Sequence, residues 1–247
     1  MRQVGQSWVE KFSPHARANE IEGHEVRQQL RKWFEKWGLP RAIRVDNGAP
    51  WATRSDIPSP LALWLVGLGV KVLLNRPRHS TDNGIVERDH GVLARWVEAH
   101  KARHQHDLQV QLNWAMAMQR ERYPAIAGQS RLQAYPDLQG NTRLYTHSQE
   151  SQLWQLQRVD DFISKSIWTR RVDKVGRISL FNNAYSVGRA YTGQDVHIQF
   201  RCPEREWWIE TLQGQLLKRY PAREITPECI FQFNFTKRAN LVSYDAS

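Results

Sequence analysis

The chain has 247 residues, 40% of them hydrophobic and 24% charged, which is enough for one large or two ordinary domains with cores of their own. Its formal charge of +10 suits a polyanionic partner, and the excess is densest late in the chain: 11 Lys/Arg against 6 Asp/Glu over residues 165–227, compared with 22 against 17 over 1–164. Two cysteines, Cys202 and Cys229, show no metal-ligand spacing and no disulfide framework; with no apolar run of roughly 18 residues and no signal-peptide pattern, a soluble, cytoplasmic protein without membrane attachment is expected.

Within Met1–Gly23, Ser7–Glu10 and Ala16–Ile21 each fit a short strand. From His24 to Trp37 the residues Val26, Leu30, Trp33, Phe34 and Trp37 recur at helical spacing, and Gly38 followed by Pro40 stops the helix. Arg41–Val45 reads as a strand that delivers Asp46 at its carboxyl end. A proline-containing loop leads to a short apolar helix on Leu61, Trp64, Leu65 and Leu68, and Val70–Leu74 is a second strand. Asn75–Gly84 is a polar, basic loop. A helix from Ile85 to about Arg103 carries Ile85, Val92 and Trp96 on one stripe, flanked by Val86, Leu93 and Val97, and Asp107–Arg122 is a further amphipathic helix. Alternating strands and helices point to α/β layering.

Residues 123–165 break the pattern: Pro124, Gly128, Pro136, Gly140 and a run of Gln and Ser predict a linker over the surface. From Trp168 the period changes to two. Trp168–Val172, Arg177–Leu180, Ala184–Val187, Val196–Phe200, Trp207–Thr211 and Leu216–Tyr220 are strand-like runs separated by turns, the pattern of a small barrel or sandwich. The tail after Pro227 takes no assignment.

Two Asp-Asn-Gly turns bracket the candidate chemistry: Asp46-Asn47-Gly48 follows the first strand, and Asp82-Asn83-Gly84 leads into the helix that carries Glu87 in its first turn. Phosphoryl transfer on DNA uses two Mg²⁺ ions about 3.5–4 Å apart, and carboxylates on rigid elements hold them. Taken singly, each acid also has a purely structural reading. Asp in such a turn bonds its own backbone, and Glu near a helix start is favoured by the macrodipole. The tryptophans are read as core rather than as base-stacking platforms, and neither His79 nor His90 has a second ligand at metal-binding spacing.

The segment Gly38-Leu39-Pro40-Arg41-Ala42-Ile43-Arg44-Val45-Asp46-Asn47-Gly48 resembles the second-aspartate segment of DDE transposases and retroviral-type integrases of bacterial insertion sequences. Arg76-Pro77-Arg78, then Asp82-Asn83-Gly84-Ile85-Val86-Glu87-Arg88-Asp89-His90, resembles their glutamate segment. Arg131 with Ala134-Tyr135-Pro136 is similar to the stretch after the core, and Arg171-Val172-Asp173 with Asn183–Gly188 to the small β domain behind it. The resemblance covers roughly residues 24–220. It implies an α/β fold: a truncated RNase H-like core (mixed sheet flanked by helices) over 1–122, a linker over 123–165, a small all-β barrel of DNA-binding type over 166–227 and a tail over 228–247. It implies that Asp46 and Glu87 are catalytic and bind Mg²⁺, with Mn²⁺ as substitute. Arg76, Arg78, Asn83, Arg88 and Arg95 would then lie near DNA, and Gly91 would leave room for close approach on the stripe of Glu87 and Arg95. The implied partners are transposon-end and target DNA, and a second copy of the chain or a full-length transposase.

The family uses three acids, the first on the first strand of the core. Reaching the second acid from there takes roughly 45–65 residues. Only 45 residues precede Asp46 and none is Asp. The expectation is therefore a chain without that first strand and its aspartate, which leaves an exposed sheet edge. Three functional expectations stay open: a transposase acting by Mg²⁺-dependent phosphoryl transfer but incomplete by itself, an inactive DNA-binding or regulatory derivative, and a basic scaffold whose Asp-Asn-Gly turns are purely structural.

Overall fold

The computed structural model describes residues 23–53, 56–75, 84–136, 143–233 and 235, without the side chains of 85–87, 89 and 90. The two strand expectations before residue 23 and the basic loop 76–83 lie outside the described residues. Helix α1 (Gly23–Trp37) buries Leu30 and Phe34, while Trp33, on the same predicted stripe, is 42% exposed. Gly38 ends it at φ 67°.

Strand β1 (Ala42–Val45) is followed by α2 (Pro60–Gly67), around which this part of the molecule packs. Ser59 caps α2 by accepting the Ala62 N–H at 3.1 Å and donating to the Trp51 carbonyl at 2.9 Å, with Pro60 in the first turn. All seven residues from Leu61 to Gly67 are buried, so α2 is a core helix without a solvent face. Strand β2 (Lys71–Leu74) then pairs with β1 in parallel, Ala42 opposite Lys71 and Val45 opposite Leu74. Among the described residues this sheet has two strands only, and Leu73 and Leu74 are 42% and 49% exposed.

Helices α3 (Gly84–Trp96) and α4 (Gln105–Glu121) form a hairpin with a small core of its own: Leu93, Val97, Leu108, Leu112 and Ala115. Helix α3 is shorter than the periodicity predicts, and a single 3₁₀ turn at Ala99–Lys101 replaces its last part. A short helix α5 (Arg131–Ala134) follows, closed by a reciprocal capping box between Ser130 and Gln133.

Residues 143–163 do not run over the surface as the composition predicts. They carry α6 (Glu150–Leu153) and α7 (Leu156–Ile163), and they bury Tyr145, Glu150, Trp154, Val159, Asp160 and Ile163. Helix α7 has apolar side chains at 156, 159 and 163, one face of a helix, which packs against α2. The indole of Trp154 lies over Gly67, where a Cβ would stand 2.0 Å from its Nε1.

The last part is antiparallel. Strands β3 (Ile167–Arg171), β4 (Arg177–Leu180), β5 (Asn183–Ser186), β6 (Asp195–Arg201), β7 (Glu206–Thr211) and β8 (Leu216–Pro221) match the predicted runs to within a residue or two. They form a four-stranded sheet in the order β3-β6-β7-β8 and a separate β4–β5 hairpin. Among the described residues the strands do not close into a barrel. Sheet and hairpin meet through Trp168, Val196, Ile198, Phe200, Trp207 and Ile209 on one side and Ile178, Leu180 and Phe181 on the other, with Phe181 stacked on Trp207. Part of the unassigned tail is ordered as α8 (Pro227–Phe231), which buries Cys229 and Ile230. One continuous hydrophobic core runs from Leu30 and Phe34 through α2 and α7 to Trp207, Ile230 and Phe235. The whole is a mixed α/β structure.

Candidate functional site

The carboxyl ends of β1 and β2 lie side by side, because the parallel register brings Val45 opposite Leu74 and the Asn75 N–H donates to the Val45 carbonyl at 2.9 Å. Asp46 and Asn75 are the first residues past those ends. Asp46 is half-buried, and its Oδ1 accepts the Gly48 N–H at 3.1 Å, the self-bonded turn that Asp-Asn-Gly favours. Asn47 ties the two strand ends together by donating from Nδ2 to the Asn75 carbonyl at 2.9 Å. Trp51 and Ala52 donate their N–H groups to Gly48 O, both at 3.1 Å. The loop that carries Asp46 is thus held at three points. A groove of about 500 Å³ borders it, lined by Gly23, Asn47, Gly48, Pro50, Pro60 and Phe233.

From Asn75 the chain passes through 76–83 and resumes at Gly84 in α3. Arg76, Arg78 and Asn83 lie outside the described residues. The backbone of Glu87 belongs to the first turn of α3, and its side chain also lies outside them. Arg88 is exposed. Arg95 is exposed as well, and its Nε donates to the carbonyl of Gly91, one turn back on the same helix, at 3.1 Å. A Cβ at Gly91 would meet nothing within 4 Å, so that face of α3 opens to solvent. The structure therefore puts Asp46 at the end of a strand of which only Val45 is buried, and Arg88 and Arg95 on an outward helix face. Among the described residues no three His, Cys, Asp or Glu side chains gather into a cation site. Asp46 contributes one carboxylate, and the described side chains by themselves do not make a place for Mg²⁺.

The acids that are most deeply held lie elsewhere, and sequence reasoning missed them. Glu150 is 2% exposed and accepts hydrogen bonds from Arg31 Nε at 2.8 Å, from Trp64 Nε1 at 3.2 Å and from the Tyr145 hydroxyl. Burial opposes its charge, but the bonds from Arg31, Tyr145 and Trp64 outweigh it and hold the carboxyl below the ordinary carboxylate range. Glu224 is 5% exposed and accepts from Tyr185 Oη at 2.6 Å and Trp207 Nε1 at 2.8 Å; burial pushes its carboxyl upward against those two bonds. Asp160 faces Arg205 at 2.9 Å and is also pushed upward by burial, with Arg205 opposing. The partners of Glu150 and Asp160 join elements far apart in the chain, Arg31 lying 119 residues before Glu150. No local sequence signal marks such pairs. All three sit inside the core and fix packing.

A scan against protein-family models found no match to this chain. Among the described residues, no helix is long and apolar enough to cross a membrane.

Proposed function

We propose that the chain is a transposase of the DDE, retroviral-integrase-like type, acting in DNA transposition by Mg²⁺-dependent phosphoryl transfer at transposon ends. In this reading residues 1–122 are a partial RNase H-like core and residues 166–227 a DNA-binding β domain. One observation carries it. The motif Asp46-Asn47-Gly48 stands at the carboxyl end of a parallel strand, beside the end of the strand from which the chain runs on to Asn83-Gly84-Ile85-Val86-Glu87-Arg88-Asp89-His90. A β-α-β unit with a tied carboxylate at the end of its first strand gives a cation ligand the fixed position that phosphoryl transfer needs. Glu87, from the first turn of α3, is the second ligand. When bound, Mg²⁺ or Mn²⁺ supplies Lewis-acid activation of the scissile phosphate. Arg76, Arg78, Asn83, Arg88 and Arg95 serve the DNA backbone, for which guanidinium groups are suited by charge and geometry.

A second reading is favoured by one feature: residues 1–45 contain no Asp, so these 247 residues hold two of the family's three acids. In that reading the chain is an inactive DNA-binding or regulatory derivative that occupies transposon ends or joins a full-length enzyme. Strand transfer with pre-cleaved ends and Mg²⁺ or Mn²⁺ separates the two. Product that disappears in Asp46→Asn establishes catalysis by this chain. No product, together with DNA affinity that falls steeply with salt, establishes the binding role. A flat salt response, with no thermal protection by either cation, sinks both and leaves the two turns structural.

A further inference from the structure

Helix α8 stops at Phe231, and the described residues after it lie against the groove beside the Asp46 turn. Side chains from distant elements hold them there. Arg27 of α1 donates from Nη1 to the Phe231 carbonyl at 2.6 Å, and its guanidinium lies 4.3 Å from the centroid of the Phe233 ring. Asn183 of β5 donates from Nδ2 to the Phe235 carbonyl at 3.1 Å, and the Phe235 ring meets Phe181 edge-on at 5.0 Å. Phe233 stands between two hollows. It lines the groove of about 500 Å³ that borders Gly48 and also a neighbouring one of about 400 Å³ that reaches Arg170 and Phe181. Thr53 and Pro60 line both as well, so the two adjoin with the ring at their junction.

That seat is costly. Phe233 has φ 53°, the left-handed region that an aromatic residue rarely adopts. Gly23 provides the space, since a Cβ there would stand 3.1 Å from Cε1 of the ring. The Nε of Arg27 is buried without a hydrogen-bond partner among the described residues, and burial, with Arg31 beside it, pushes the guanidinium down to about 10. Strain of this kind gathers at clamps and switch segments. The anchor of the segment is separate from its grip: Cys229 and Ile230 fix α8 in the core, while Gln232, just after the helix, is exposed. We propose that the segment after α8 is a releasable strap with Phe233 as its latch. Seated, the ring divides the groove at the Asp46 turn; released, it leaves one groove from Gly48 to Phe181 that admits an extended ligand. The device does not depend on what Asp46 does.

Thiol labelling of the full chain tests it. Cys202→Ser removes the exposed thiol, Ala52→Cys puts one in the groove wall, and Cys229 stays buried. A bulky maleimide is expected to label this parent slowly, and at least about tenfold faster once Phe233→Asn is added, a change that tolerates the left-handed region but deletes the ring. Arg27→Gln is expected to act in the same direction by loosening the grip, and it decides alone if Phe233→Asn does not fold. Thermal melting should move little in either variant. Labelling that both leave unchanged overturns the proposal, as does a folded parent that labels as fast as the chain in urea. Labelling that quickens only in step with a fall in melting temperature overturns it too, because the ring would then be ordinary core.

Discussion

Replacing Glu150 by Gln tests the account of the core most directly. The carboxylate ties α1 to α2 and α6: Arg31 grips it by two nitrogens, Trp64 and Tyr145 complete its bonding, and only 3% of the side chain reaches solvent. Glutamine keeps the shape but removes the charge and turns a donor toward Arg31, whose own side chain is 17% exposed. Breaking a buried pair from one side typically costs about 3–5 kcal/mol; Arg31 retains some water and the amide oxygen still accepts, so the expected loss is about 2–3 kcal/mol. For a chain of this length that lowers Tm by roughly 5–10 °C. The sign of the pH effect follows from the depressed carboxyl of Glu150. Its stabilisation is complete above the unfolded carboxylate's range and is lost as pH falls through the folded value, so wild type and variant should converge as pH drops below about 5. Urea unfolding followed by tryptophan fluorescence between pH 7 and 3 measures both quantities. A loss under about 1 kcal/mol, or a gap that stays constant across that range, would refute the reasoning.

Two further substitutions probe other parts of the same core. Gly67→Ala drives a methyl into the Trp154 indole, and displacing that ring also breaks its 3.1 Å bond to the Trp64 carbonyl, so a loss of about 2–4 kcal/mol is expected in the same unfolding assay. Glu224→Gln should act in the opposite sense. The carboxyl of Glu224 is pushed up by burial, so its contribution is complete below the unfolded carboxylate's range and is lost as pH rises through the folded value. The variant is therefore expected to gain stability over wild type at pH 7 and to lose that advantage near pH 4; thermal melts at the two pH values give the comparison.

Where function and sequence meet, legibility depended on range. The α1 stripe, both parallel strands and the six antiparallel strands were readable because helical and strand periods are local properties. The same period was present at Leu156, Val159 and Ile163, but a background of Gln, Ser and Asp hid it, and a buried helix was read as linker. The β domain was expected as a barrel because spacing counts strands without fixing how a sheet closes; the described strands stop at a sheet and a hairpin. At the site, the turn chemistry of Asp46-Asn47-Gly48 correctly put a carboxylate at a strand end. The tie from Asn47 to Asn75 was invisible, since nothing local says which neighbour an amide will find across 28 residues.

The loop after Asp46 is braced against the β domain by a short relay. Arg170 on β3 holds Asp56 at 2.8 Å, and the Trp168 indole donates to the Asp56 carbonyl at 3.3 Å. Three residues on, Ser59 reaches back to the Trp51 carbonyl, within the turn that Gly48 closes. The relay thus joins an exposed ion pair at Asp56 to a buried cap at Ser59 within four residues of chain. Removing the Arg170 guanidinium would therefore loosen the connection from the Asp46 turn to the buried helix α2 from a position 114 residues away in sequence from Asp56.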